Sequence, residues 1–464
     1  MRLTDLIGKI KKIVSHGKQN QTSPKNNKTN TITFRAPFKQ VEISLQALSV
    51  LKTLKKSGYM GFVVGGSVRD LLLEGTPKDF DVATNAKPEE IRKIFSNCRL
   101  IGRRFRIAHI LFRNEIVEVT TFRSAPNEKE TNNTSRFIRS NEHGLLIADN
   151  QYGTIEEDAD RRDFTVNAFY YDADQHVITD FSSGMKDLQN KQLVMIGNPG
   201  VRFREDPVRM LRAARLAAKL SFTIDPDIEA CIPETKTLLY NVSPARLFDE
   251  TIKLFLMGHA EKTFDILCRL GIFSLLYPAT ANSLNSDAYQ PTLIRLGLIN
   301  TDQRIINDKR VTPAFLYACL LWHPMQTKLD VYIKNGEALF PALNSAMMQT
   351  LANQSKITLI PKALMLYIRD IWELQTRLAI RTVKSVRTVI EFARFRAGYD
   401  FLLLREKAGE NVGDLANWWA SYQDAGEQAR EIMLKALKSS GTKKKKRKRS
   451  PKKSPPNPQE TQPQ

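Results

Sequence analysis

A chain of 464 residues with 42% hydrophobic content can bury a sizeable core in two or more structural units, which excludes a wholly disordered protein. The formal net charge of +21 points to a polyanionic partner, nucleic acid or an acidic membrane surface, and much of it sits at the ends: ten Lys/Arg against one Glu in residues 438–464, and seven against one Asp in residues 1–30. No apolar run reaches the ~20 residues that span a bilayer, and Cys98, Cys231, Cys268 and Cys319 are too widely spaced for a zinc site or a disulfide framework, so a reducing cytoplasm is the expected setting.

Residues 1–14 place Leu3, Leu6, Ile7, Ile10, Ile13 and Val14 at helical spacing with Lys9, Lys11 and Lys12 elsewhere on the turn. Such a basic amphipathic helix suits docking on the chain's own surface or weak peripheral contact with anionic membrane. A polar linker follows, and the segment to residue 40 is read as lying outside the first domain. Ser44 opens a helix carrying Leu45, Leu48, Leu51 and Leu54 and closed by Gly58. Phe62-Val63-Val64 is a strand that stops at Gly65-Gly66, and Ser67 is placed to cap a helix over residues 68–73. In this strand, turn and helix, two glycines let backbone N–H groups approach a phosphate, the helix N-terminus adds positive dipole, and Arg69 can add a bidentate donor. Asp79-Phe80-Asp81 then heads a second strand. Residues two apart on a strand share a face, about 6.6 Å apart, so Asp79 and Asp81 can converge on a divalent metal while Phe80 packs behind. Pro88 opens a helix, and residues 106–112 and 116–122 read as strands. Glu118 inside the second would be costly if buried without a metal or an arginine; an edge position facing water is the alternative.

Residues 123–151 are polar and are expected to form a mobile loop. The dense acids and bases from Glu156 to Asp163 suit a surface helix with internal ion pairs. Asp206-Pro207 is a helix start, running to about Leu220, with Arg209, Arg212 and Arg215 three residues apart. From Ser243 to Leu437 helical spacing recurs, as in Leu364, Ile368, Ile371 and Leu374. Arg369, Arg377, Arg381, Arg387, Arg394, Arg396 and Arg405 near Trp372, Phe395, Trp418 and Trp419 suit a track for single-stranded RNA, with Arg394 and Arg396 as contacts, although core packing is the ordinary fate of each ring. After Leu437 the chain has no aliphatic or aromatic residue; Lys443, Lys444 and Arg447 lie in a basic tail expected to be disordered and to touch RNA phosphates.

Four stretches, Gly65 to Asp70, Asp79 to Asp81, Glu157-Asp158 with Arg161 to Ala168, and Arg204 to Ala213, occur in an order that resembles the class II tRNA nucleotidyltransferases and bacterial poly(A) polymerases, within the polymerase-beta-like superfamily. The resemblance implies an α+β protein: a small mixed β-sheet nucleotidyltransferase head (residues 41–197) followed by an all-α neck (198–281) and body (282–437). It implies a template-independent adenylyltransferase using ATP and a two-metal Mg²⁺ site. Asp79 and Asp81 would be catalytic metal ligands, Glu118 would assist, and Asp163 is counted with the active site. Gly65, Gly66, Ser67, Arg69, Arg162, Asp206, Arg209 and Arg212 would bind the nucleotide, Asp206 and Arg209 through its base. Residues 100–109 resemble a segment typical of bacterial poly(A) polymerases and put Arg103 and Arg104 forward as RNA contacts. The implied partners are RNA 3′ ends, ATP and RNA-decay proteins, with no DNA expected. A CCA-adding enzyme is the alternative, disfavoured by residues 100–109, by the basic tail and by the lack of a His-Asp dipeptide that could suggest an attached phosphohydrolase domain. A non-catalytic RNA-binding protein is the second alternative, against which Asp79, Asp81 and Glu118 stand intact.

Overall fold

The computed structural model describes residues 31–102, 106–124, 138–140, 146–149, 151–284 and 289–441. Its sheet is built from β1 (Ile32–Arg35), β2 (Gly61–Val64), β3 (Asp81–Thr84), β4 (Cys98–Ile101), β5 (Ile107–Leu111) and β6 (Ile116–Thr121). After a separate antiparallel hairpin of β7 (Ile138–Ser140) and β8 (Leu146–Asp149) come β9 (Phe169–Asp172) and β10 (Val177–Asp180). The eight strands run in the order β1-β10-β9-β2-β3-β6-β5-β4, and β3–β6 is a parallel ladder in an otherwise antiparallel sheet. Alternation along the central strands explains how both faces are filled. Val63, Val82, Val119 and Tyr171 enter the main core, whereas Val64, Ala83 and Tyr170 join Phe122 and Phe181 in a smaller cluster.

Helix α1 (Leu45–Lys56) begins at Ser44, whose hydroxyl accepts from the Ala47 N–H at 3.0 Å, and buries Ala47, Val50, Leu51 and Leu54. Leu45, expected on that stripe, is 77% exposed because the buried face runs through Ala47, Val50, Leu51 and Leu54 and position 45 falls off it. α2 (Gly66–Leu72), α3 (Pro88–Ile94), α4 (Ile155–Asp160) and α5 (Gly184–Asn190) complete the head. The neck contributes α6 (Pro199–Glu205), α7 (Val208–Leu220), α8 (Pro226–Thr235) and α9 (Pro244–Phe255), and the described chain beyond is helical to residue 441. One core cluster runs from Phe34 in the head to Ala408 in the body; a second gathers Leu374, Leu378, Phe395, Trp419 and Leu434.

Three expectations are revised. β1 falls in the stretch read as a linker and pairs with β10, so the sheet begins at Ile32. Residues 123–151 contain the β7–β8 hairpin. The rings proposed to stack on RNA are largely core: Trp372 and Trp419 are fully buried with their indole N–H groups donating to the Ala318 and Leu378 carbonyls at 3.2 and 3.0 Å, and Phe395 is buried against Tyr399. The helix and membrane contact expected of residues 1–14, Arg103, Arg104, and the tail with Lys443, Lys444 and Arg447 lie outside the described residues. Among the described residues no helix is long and apolar enough to cross a membrane.

Candidate active site

The turn between β2 and α2 opens a cavity of about 810 Å³ that is closed by residues of α7 and α9. Gly65 sits at φ +76°, a conformation L side chains rarely adopt. A Cβ on Gly65 would stand 3.3 Å from an Arg162 guanidinium nitrogen, and one on Gly66 would stand 3.3 Å from an Arg69 nitrogen. The backbone here is therefore pressed against two cations. Gly65, not Ser67, is the N-cap of α2; Ser67 is buried in the first turn, where its hydroxyl donates to the Val64 carbonyl at 3.1 Å. The side chain closes the end of β2 instead of capping the helix.

A ring of charged groups ties this turn to the neck. Arg69, 4% exposed, donates to Asp70 at 2.9 and 2.5 Å and to the Asn167 side-chain oxygen at 2.5 Å. Asn167 donates to Asp163 at 3.2 Å, and Asp163 accepts from Arg212 Nε at 2.7 Å. Two turns along α7, Lys219 returns to Asp70 at 2.8 Å and closes the ring. The Arg69 fork expected to grip phosphate is thus turned onto Asp70 and Asn167. Burial alone would raise the Asp163 carboxyl, but the charge and hydrogen bond of Arg212, with the Asn167 and Phe164 N–H donors, outweigh it and hold the group at about 2. Asp163 accordingly orients Arg212 from beneath. Arg162 is held by the Tyr170 hydroxyl at 2.9 Å and Asp158 at 3.3 Å, and its guanidinium lies 5.0 Å from the Tyr170 ring centroid.

Asp81 opens β3 in register with Glu118 on the adjacent parallel strand, and Phe80 is buried behind it as expected. Asp79 precedes the strand and is exposed, so ideal strand spacing does not set its distance from Asp81. Burial, then the Glu118 charge, push the Asp81 carboxyl up to about 6, with Asp79 adding and Arg162 opposing. Glu118 Oε1 lies 3.1 Å from His109 Nε2 on β5, a neighbour that the sequence pattern did not single out. Among the described residues neither the Asp79 nor the Asp81 side chain has a hydrogen-bond or ion-pair partner. No three His, Cys, Asp or Glu side chains among them are gathered closely enough to hold a metal ion unaided.

At the other end, Asp206 follows α6 and lies 3.3 Å from the Val208 N–H, the helix-start contact its sequence suggests, while its second oxygen accepts from Arg246 at 2.7 Å. Arg209 donates to Glu205 at 2.8 Å and to the Arg202 carbonyl at 2.9 Å. Arg215 lines the cavity with no hydrogen bond or ion pair among the described residues. Asn167, Lys219, Arg246 and Glu250 are cavity residues that sequence reasoning passed over. A signal existed for two of them: α9 places Arg246, Glu250 and Lys253 four and three residues apart, a charged stripe on a helix that otherwise buries Leu247, Thr251 and Leu254. Arg394 and Arg396 belong to the body and do not line this cavity. Arg394 stacks 3.8 Å above the centroid of Tyr367, and Arg396 pairs with Asp400 at 3.0 Å.

Residues 61–194 match the Poly A polymerase head domain, residues 221–284 the probable RNA- and SrmB-binding site of polymerase A, and residues 335–454 the polymerase A arginine-rich C-terminus. The chain is 43% identical to Poly(A) polymerase I of Escherichia coli over 401 residues, covering 85% of this chain and 86% of that one. To the CCA-adding enzyme of Lactobacillus johnsonii it is 35% identical over 231 residues, half of this chain and 55% of the other. The solved CCA-adding enzyme of Thermotoga maritima complexed with tRNA shares the fold, with a TM-score of 0.54 at 17% identity over 87% of this chain and 94% of that one. With the mixed-sheet head, helical neck and glycine turn found together, and with that identity extending into the arginine-rich C-terminus, the chain belongs to the poly(A) polymerase family.

Proposed function

We propose that this protein transfers AMP from ATP to RNA 3′ ends without a template, at the cavity between the β2–α2 turn and α7. The observation that carries the reading is Asp81, in register with Glu118 and without a hydrogen-bond or ion-pair partner among the described residues, lining a cavity otherwise rich in guanidinium groups. Carboxylate oxygens without a protein cation are a hard donor set, and Mg²⁺ keeps several waters and takes only one or two protein carboxylates beside substrate phosphates, so a ready-made three-ligand cage is not needed. Asp79 and Asp81, with Glu118 assisting, would hold the ions. Bound Mg²⁺ supplies activation of the hydroxyl and neutralisation of the leaving pyrophosphate oxygens.

The residues of the chain do the positioning. The 3′-oxygen of RNA forms a bond to the α-phosphorus of ATP as the bond to pyrophosphate breaks, a reaction limited chiefly by alignment and charge. Gly65 and Gly66 let the turn's backbone approach the triphosphate, with Arg162 beside it. Asp163 presents Arg212 to the same cavity, and Arg69 with Asn167 fixes that presentation. Asp206 and Arg209 flank the base, each retaining bonding capacity beyond Arg246 and Glu205. The test supplies ATP and CTP separately, with magnesium, to an unrelated RNA and to a tRNA lacking its 3′ end. Repeated AMP addition to both RNAs supports the reading. Addition confined to the tRNA, with CTP used before ATP, replaces it with CCA addition.

A further inference from the structure

Strands β4, β5 and β6 pair antiparallel, and one of their faces is packed in the ordinary way, with Leu100, Ala108, Ile110, Val117 and Val119 entering or resting on the main core. The opposite face of such a sheet is ordinarily polar. Here half of it is apolar. Directly paired residues share a face, so Ile101 stands beside Ile107, and Leu111 beside Ile116. Ile101 and Ile116 are 40% and 48% exposed, and none of the four joins a core cluster among the described residues. Between the two apolar pairs runs a charged row. The register sets Arg99 opposite His109, His109 opposite Glu118, and Glu118 opposite Asp81 on β3. His109 and Glu118 meet each other at 3.1 Å, whereas Arg99 is exposed and has no hydrogen bond or ion pair among the described residues.

We propose that this open sheet face seats the last nucleotides of the RNA, its 3′-hydroxyl towards Asp81, its sugars and bases against Ile101 and Ile107, and a backbone phosphate on Arg99. The row changes character along its length, from carboxylates suited to a metal ion to a free guanidinium suited to an anion. An RNA end presents its groups in that same order, a hydroxyl to be activated and then phosphates. Three strand intervals separate Arg99 from Asp81, about 14 Å, so the contact falls on one of the few phosphates nearest the 3′ end. The apolar flanks supply the non-specific support that single-stranded nucleic acid takes from a platform beside its charged track. The inference rests on the AMP-transfer reading for the place of the 3′-hydroxyl and adds the surface along which that end is held.

The experiment uses the full-length protein and a short RNA in which one of the three linkages nearest the 3′ end is an uncharged methylphosphonate. Wild type and Arg99→Ala are compared for RNA KM and ATP KM, and for equilibrium binding of the same RNAs with magnesium and no ATP. At one of the three positions the neutral linkage should raise the wild-type RNA KM and Kd about three- to fivefold, and it should cost Arg99→Ala nothing further. On unmodified RNA, Arg99→Ala should raise the RNA KM by that factor, leave the ATP KM at the wild-type value, and lower the slope of log affinity against log salt by about 0.7. Ile101→Asp, which sets a carboxylate on the same face, should also raise the RNA KM with its thermal midpoint retained. A neutral linkage that costs wild type and Arg99→Ala equally at all three positions overturns the inference, as does an unchanged RNA KM in folded Ile101→Asp. Should Arg99→Ala not fold, a wild type indifferent to all three linkages overturns it independently. A wild type that shows the linkage pattern in binding but adds no AMP overturns the AMP-transfer reading and leaves the RNA seat standing.

Discussion

Helix α7 and the helical body are both rich in arginine, and they deploy it differently. On α7 Arg209 pairs locally with Glu205, but Arg212 meets Asp163, 49 residues away, and Lys219 meets Asp70, 149 residues away, both in the head. In the body the pairs are of mixed range and mostly reach solvent, from Arg377 with Glu373 and Arg396 with Asp400, each four residues apart, to Arg381 with Asp414 and Arg387 with Glu431, 33 and 44 residues apart. The first set is enclosed by a cavity and fastens neck to head; the second mostly braces helix surfaces. Arginine content therefore indicates a polyanionic partner, but only the identity and burial of each partner separates a working cation from a solvated one.

The largest expected effect isolates the enclosed region as the seat of the chemistry. Asp81→Ala should lower AMP incorporation by about 1000-fold or more, because transition-state charge loses its stabilising ion, while RNA affinity is nearly kept. Single-turnover extension and filter binding on the same preparation check this. Retained incorporation would move the chemistry elsewhere.

The next effect separates the two kinds of ion pair by stability. Arg212→Ala strands the buried Asp163 carboxylate and should cost about 3 kcal/mol, whereas Arg377→Ala breaks an exposed i,i+4 pair and should cost less than about 0.5 kcal/mol. Urea unfolding midpoints decide between them, and equal losses would erase the distinction drawn here.

Acid unfolding reports on the same pair from the carboxylate side. The Asp163 pKa is depressed, to about 2 from an ordinary 3.8. Its contribution is therefore fully present above the unfolded value and is lost as pH falls through the folded one, a window of about pH 4 to 2 worth about 2 kcal/mol. Asp163→Asn should flatten stability against pH across that window. Asp414 in the body is also depressed, by its hydrogen bond to Arg381, but at 69% exposure it is screened, and Asp414→Asn should leave the profile unchanged.

Legibility in the sequence followed how local the signal was. The glycine turn, the buried Phe80 behind Asp81 and the α7 helix start could be read because neighbours in sequence determine them. β1 could not: it is a four-residue edge strand whose alternation is too short to stand out from polar surroundings. Ser67 misled because a hydroxyl after two glycines suits a cap, and only the positive φ of Gly65 moves the cap two residues back. The ring from Lys219 through Asp70, Arg69, Asn167 and Asp163 to Arg212 was invisible as a unit, since no spacing rule links residues so far apart. Glu250 escaped for the same reason, although its stripe on α9 was present.

The smallest expected effect tests whether any of the body's exposed arginines also serves RNA. Arg396 pairs with Asp400, lies 5.8 Å from the Tyr399 ring centroid and keeps 74% of its side-chain surface exposed; Arg394, at 42%, stacks on Tyr367 and lies 3.8 Å from Asp370. Both pairs are open to solvent on the arginine side, where a phosphate can compete for the cation at little cost. If both contact single-stranded RNA, changing them to Ala should reduce the slope of log affinity against log salt by about 0.7 for each lost phosphate contact. Adenylation of saturating RNA should stay near wild type, because neither residue lines the cavity. A slope unchanged in the double variant would make these arginines a solvated face, and the body's positive charge would then act on RNA only through its long-range field.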